Sequence, residues 1–199
     1  MQGKYISMKQ IFLSVLFFMT AITSKAQVTT NVYWTEQSSL PSSQVIYYNP
    51  SHNLQWPDFI GVPQTAGIVA AITMSGFGYT ASMKRNASKG EINIGVYCYF
   101  SKNKSWVKPE KKTAYILNHE QHHFDISYIA ARIFADKVKN SGVTTSNVNV
   151  LLPRIYKECC DIMNKLQDDY DGQTKNGQVK EMQERWNNSL DEKLVAFTR

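Results

Sequence analysis

The sequence predicts an α+β domain, with an N-terminal antiparallel sheet packed on three C-terminal helices. Two contrasts predict it. Residues 28–107 are rich in Tyr, Val, Ile, Thr and Gly, with turn clusters between them, whereas residues 111–196 carry apolar side chains at three- and four-residue steps. Length adds a bound: 199 residues make one domain, or at most two small ones. The reading is one domain over residues 27–199, mainly β in 27–107 and mainly α in 108–199.

The first 26 residues are set aside as an export signal. Lys9 is a short basic region, Ile11 to Ile22 an apolar core of twelve residues, and Ser24 and Ala26 a small-x-small cleavage pattern. Twelve apolar residues are too few to span a bilayer, which takes roughly 20. A periplasmic or secreted location follows, with no membrane span after cleavage. The segment carries Lys4, Lys9 and Lys25 and no acid, so the mature chain keeps 19 cations against 16 acids, or +3. That excess is too small to argue for nucleic acid. Cys98, Cys159 and Cys160 remain. Cys98 can pair with one of the others in an oxidising compartment, leaving an odd thiol; three buried free thiols is the favoured reading.

In "EINIGVYCYF", Ile92, Ile94, Val96, Cys98 and Phe100 fall on one face and Asn93, Gly95, Tyr97 and Tyr99 on the other, which is a half-buried strand. "GIVAAITMSGFGYTASM" is a second extended run, and Asn86 to Gly90 supplies a hairpin turn between them. "TTNVYWTE" and "QVIYYN" read as further strands, and "NLQWPDFIGVPQ" as a loop pinned by Trp56 and Phe59. Helix one is expected from Pro109 to Asn140, helix two from Ser146 with Pro153 confined to its first turn, and helix three from Gln178 to Val195. "DGQTKNG" is read as the connection between the last two.

Three of the four histidines lie in "ILNHEQHHFDISY", and His119 to His123 spell H-E-x-x-H. Residues four apart share one helix face, so His119 and His123 can offer two imidazoles to one Zn2+. Glu120 sits about 100° round the helix. It is badly placed to be a ligand and well placed to take a proton from water that the metal polarises, as a general base does in metalloproteases. His122 lies off this stripe. Asp125 is read either as a carboxylate orienting a ligand's far nitrogen or a neighbouring backbone group, or as a solvated surface acid.

A catalytic zinc site takes a third protein ligand. Downstream candidates are Glu158 and Asp161, flanking the apolar face of helix two, and Asp168, Asp169 and Asp171 at its end. Asp171 follows Tyr170, which continues the apolar stripe and so holds that end against the body. The Tyr170 phenol has two readings, a core aromatic or an oxyanion stabiliser in catalysis.

"SWVKPEKKTAYILNHEQHHFDI", "YDGQTKNGQVKEMQERW" and "LQWPDFIG" together resemble a family of exported bacterial proteins described as zinc-dependent proteases, minimal relatives of the gluzincin metallopeptidases. The resemblance spans Leu54 to Leu194. It implies a zincin-like core, His119 and His123 as ligands, Glu120 as base, and "YDGQTKNG" as the other wall of the site. In the family pattern a histidine commonly precedes the glycine there, where this chain has Asn176. The third ligand is then expected to be Asp171, with Glu158 next. The function expected is an exported zinc metallopeptidase acting on a peptide or protein laid beside a sheet edge, such as "EINIGVYCYF" or its neighbour. Its rivals are a zinc-stabilised but catalytically silent envelope or secreted module, and a metal-free binding protein using tyrosine-rich strands.

Overall fold

A computed structural model describes residues 27–64, 66–85 and 89–197. The expected export signal, residues 1–26, lies outside the described residues, as do residues 86–88 of the expected hairpin turn. The chain is α+β, with strands first and three helices at its C-terminal end. The strands are β1 (Gln27–Trp34), β2 (Val45–Tyr47), β3 (Ala71–Ile72), β4 (Ser75–Arg85), β5 (Lys89–Ser101) and β6 (Trp106–Val107). The helices are α1 (Ala114–Asn140), α2 (Val148–Thr174) and α3 (Lys180–Ala196). Among the described residues, no helix is long and apolar enough to cross a membrane.

β5 is the centre of the main sheet. β4 runs antiparallel along one edge, from Ser75 opposite Phe100 to Arg85 opposite Gly90. β2 pairs antiparallel with residues 99–101 on the other edge, and β1 pairs parallel with residues 89–96. The sheet is therefore mixed, which corrects the expectation of a purely antiparallel one. A parallel neighbour needs a long crossover, and the chain from β2 to β4 supplies it. The single expected run over residues 67–83 also divides: β3 leaves to pair with β6, and β4 alone enters the main sheet.

The alternation in β5 decides what the sheet buries. Ile92, Ile94, Val96, Cys98 and Phe100 are each no more than 2 % exposed, and they pack with Phe124, Ala131 and Phe134 of α1. Burying each large apolar side chain of this kind contributes about 1.5–3 kcal/mol. The 54–59 loop closes one end of this core, with Leu54 and Phe59 buried and Trp56 packed against them. A second cluster of Ile126, Ile129, Tyr170 and Leu190 fills the space between α1, α2 and α3. α1 is thus covered by the sheet on one flank and by helices on another, which is why its polar residues are buried too.

α1 starts later than its apolar pattern predicts. Pro109–Lys111 form a separate 3-10 turn, and Thr113 caps the helix, its hydroxyl accepting from the Ile116 N–H at 3.2 Å. Such a cap is worth about 1 kcal/mol. α2 departs from expectation at both ends. It starts at Val148, so Pro153 lies beyond the first turn. The carbonyl that loses its partner belongs to Asn149, and both residues are exposed, so water can satisfy it. At the other end the helix runs on through Gly172 to Thr174, so most of the expected connection is helical. All three cysteines are free thiols, with Cys98 and Cys159 buried and Cys160 half-buried.

Candidate metal centre

α1 and α2 meet so that each offers two residues one turn apart. α1 gives His119 and His123; α2 gives Gln167 and Asp171. His119 Nε2 lies 3.2 Å from His123 Nε2, and Asp171 Oδ1 lies 3.2 Å from the first and 3.1 Å from the second. Ligands about 2.0–2.2 Å from a tetrahedral zinc stand about 3.3 Å from one another. The donor set, two imidazoles and a carboxylate, suits the same ion.

The far nitrogens fix what those three atoms can be. The amide nitrogen of Gln167 donates to the His123 carbonyl at 2.8 Å, which turns its oxygen to His123 Nδ1. The amide nitrogen of Gln183 donates to Asn187 Oδ1 at 2.7 Å and to the Tyr170 hydroxyl, which turns its oxygen to His119 Nδ1 at 2.9 Å. Both Nδ1 atoms must therefore carry the proton, and both neutral Nε2 atoms are bare lone pairs. Three acceptors then converge on one point. The Asp171 Oδ1 atom is buried and has no aligned hydrogen bond, although two nitrogens lie close to it. A cation resolves that arrangement.

Glu120 completes the constellation. It is buried, its Oε2 has no hydrogen-bond partner, and it lines the same cleft of about 760 Å³. Burial pushes its carboxyl above the ordinary value, against the opposing pull of His123 and His119. Thr73 fixes the helix beside it by donating to the Glu120 carbonyl at 3.1 Å. The cleft's facing wall is the segment Ile68–Thr73, which includes β3. β5, expected to lie beside a substrate, has both edges paired and cannot.

The loop after α2 presses on the site from the third side. Lys175, Asn176 and Gly177 are all left-handed, with φ of 50°, 53° and 76°. Gly177 is required there: a Cβ would lie 3.3 Å from His119 Nδ1. Tyr115 holds the loop down by donating to the Gly177 carbonyl at 2.6 Å. Asn176 is exposed at the cleft wall, and Asp171 occupies the third position among the three donors.

Two expected roles are corrected. Asp125 does not orient a ligand imidazole. It accepts from His122 Nδ1 at 2.9 Å, from Gln121 at 2.8 Å and from the Tyr48 hydroxyl at 2.9 Å, which ties α1 to the β2 side of the fold. The two glutamines fill the role expected of it. Tyr170 is fully buried, stacks on His119 at 4.7 Å between ring centroids, and points its hydroxyl at the His119 carbonyl. It packs His119 from behind and offers nothing to an oxyanion in the cleft. His122 pairs with Asp125 and stays off the triad. Glu158 and Asp161 are engaged with Lys137 and Lys157 on the surface. Gln167 and Gln183 were given no role by the sequence. The one signal for Gln167 is its spacing of four from Asp171, which mirrors the histidine pair.

Without a cation, a proton is the available relief. Burial alone would lower the His123 pKa, but hydrogen bonding to Asp171 and the charges of Glu120 and Asp171 raise it above the ordinary value. Burial alone would raise the Asp171 carboxyl, but His119 and His123 hold it well below the usual range. Metal uptake must then displace the His123 proton. Zinc affinity is expected to weaken as pH falls through this raised pKa, by about tenfold per pH unit for one proton. Competition with a chelating dye across neutral and mildly acidic pH checks this; an affinity flat across that range would contradict it.

No family model matches the chain, and no curated protein or solved structure matches it.

Proposed function

We propose that the chain is a zinc-dependent peptide hydrolase built on a minimal zincin-like core, exported by its N-terminal signal. One observation carries the reading. His119 Nε2, His123 Nε2 and Asp171 Oδ1 converge at 3.1–3.2 Å as three acceptors, beside the buried Glu120, whose Oε2 has no hydrogen-bond partner, in an open cleft. Zinc held there supplies Lewis acidity, polarising a carbonyl and acidifying water. Gln167 and Gln183 keep both imidazoles in the tautomer a ligand needs. Glu120 would take the proton from the attacking water and return it to the leaving amine. A peptide substrate is supported by the cleft wall. Among the described residues β3 has one strand neighbour, β6, and its other edge would pair with an extended chain.

The test is zinc content and cleavage together. The purified mature protein is expected to hold one zinc per chain and to cleave an unfolded protein substrate such as reduced casein. Phenanthroline should stop cleavage and added zinc restore it. Protein that stays zinc-free at micromolar free zinc would sink the proposal.

A further inference from the structure

A second cavity, of about 340 Å³, shares no lining residue with the metal cleft. It lies where the end of β1, the start of the loop after β2, and α1 meet. Trp34, Tyr47, Tyr48, Tyr128 and Arg132 line it. Three of these rings pack on one another, with Tyr128 touching both of the others. Tyr48 stacks on Tyr128 with centroids 4.0 Å apart and planes 6° apart, and Trp34 meets Tyr128 at 5.3 Å. Two hydroxyls of the lining are engaged elsewhere, that of Tyr48 with Asp125 and that of Tyr47 with Ser38.

Arg132 is the unsatisfied group. Its guanidinium lies 5.7 Å from the Trp34 centroid and 5.0 Å from that of Phe197. Ring contacts of this kind use the faces of a guanidinium and leave its edge, where all five donors sit, for an acceptor. Among the described residues that edge has no carboxylate and no hydrogen-bond acceptor, and its Nε is buried without a partner. A cation in this state is matched by a planar anion that fits its fork. Glu36 is the other charged residue of the lining, and it is exposed. It disfavours a second negative charge on the ligand.

We infer that this cavity is a binding site for a small monocarboxylate carrying a flat apolar ring, the carboxylate on Arg132 and the ring against the aromatic wall that Trp34, Tyr47 and Tyr48 supply. The volume is at the lower end for a small-molecule pocket, which suits one ring system and one acid group. The site is independent of the metal centre, so its ligand is expected to bind the zinc-loaded and zinc-free protein alike.

The experiment uses two probes that differ in one charge, 2-naphthoate and 2-naphthamide, titrated into the full mature protein by calorimetry. Amide shifts of Thr35 and Asn49, both in the cavity wall, report the location. Saturable binding of 2-naphthoate is expected, at least tenfold tighter than 2-naphthamide, with both amides shifting. Arg132→Gln should erase that preference, and Arg132→Lys should keep part of it. Equal affinity for the two probes, absence of saturable binding, or shifts confined to other residues would overturn the inference. The comparison of probes is made in the unaltered protein, so the result stands even where a variant fails to fold.

Discussion

Glu120→Gln is expected to abolish hydrolysis while leaving the metal in place. The change keeps the shape of the side chain and removes its capacity to accept a proton. General base catalysis is worth about 10²–10⁴-fold, so kcat should fall by that order with KM little changed. His119, His123 and Asp171 are untouched, and zinc content should stay at one per chain. The second consequence is on stability, and it runs the other way. Glu120 is buried with an unpartnered oxygen, and its carboxyl is raised mainly by that burial. A group whose folded pKa is raised stabilises the fold below its unfolded pKa and loses that contribution as pH rises through the folded one. Metal-free wild-type protein should therefore lose stability as pH rises through that range. The Gln variant should lose less, and its metal-free melting temperature at neutral pH should equal or exceed that of wild type. Full activity in Glu120→Gln would remove this residue from the chemistry. Loss of zinc in the same variant would mean that it serves the metal instead.

What the sequence discloses depends on whether a feature is local. The inner face of β5 follows from a period of two, and all five residues assigned to it are buried. The histidine pair follows from a period near four, for the same reason. Parallel pairing of β1 with β5 depends on a long crossover and leaves no mark in "TTNVYWTE". The continuation of α2 through Gly172 runs against a residue that costs about 1 kcal/mol in a helix interior. Tertiary packing of Tyr170 and Asp171 against α1 outweighs that preference. The partners of Asp125 on its own helix are a local feature too. Asp125 stands three residues after His122 and four after Gln121, and helix geometry alone sets it against those two. Gln167 and Gln183 could not be found this way, because their role depends on the register of α2 and α3 against α1. Buried polar side chains on a central helix need partners, so a helix sequence like that of α1 implies such groups without saying which residues they are.

Asp171→Ala should separate the metal's two effects, because in the proposed zinc site Asp171 is the one ligand that α2 contributes. His119 and His123 alone bind zinc weakly, and the cleft then loses its only carboxylate among the three donors. Zinc held a thousandfold above its dissociation constant stabilises the fold by about 4 kcal/mol. In a domain of this size each kcal/mol moves the midpoint by about 2–4 °C. Chelation of wild type is therefore expected to lower Tm by about 8–16 °C under those conditions, and the Asp171→Ala variant should show almost none of that shift. Asp171→Asn keeps an oxygen donor without the charge, and should fall between the two in zinc affinity. The distinction from a silent zinc staple lies in the pairing of variants. A staple predicts the Asp171 result and predicts that Glu120→Gln changes no function. A hydrolase predicts both losses of activity, one with the metal and one without losing it. If chelation leaves Tm unmoved while zinc is verifiably removed, the ion does not join the helices. The convergence of three acceptors between α1 and α2 would then need another cause.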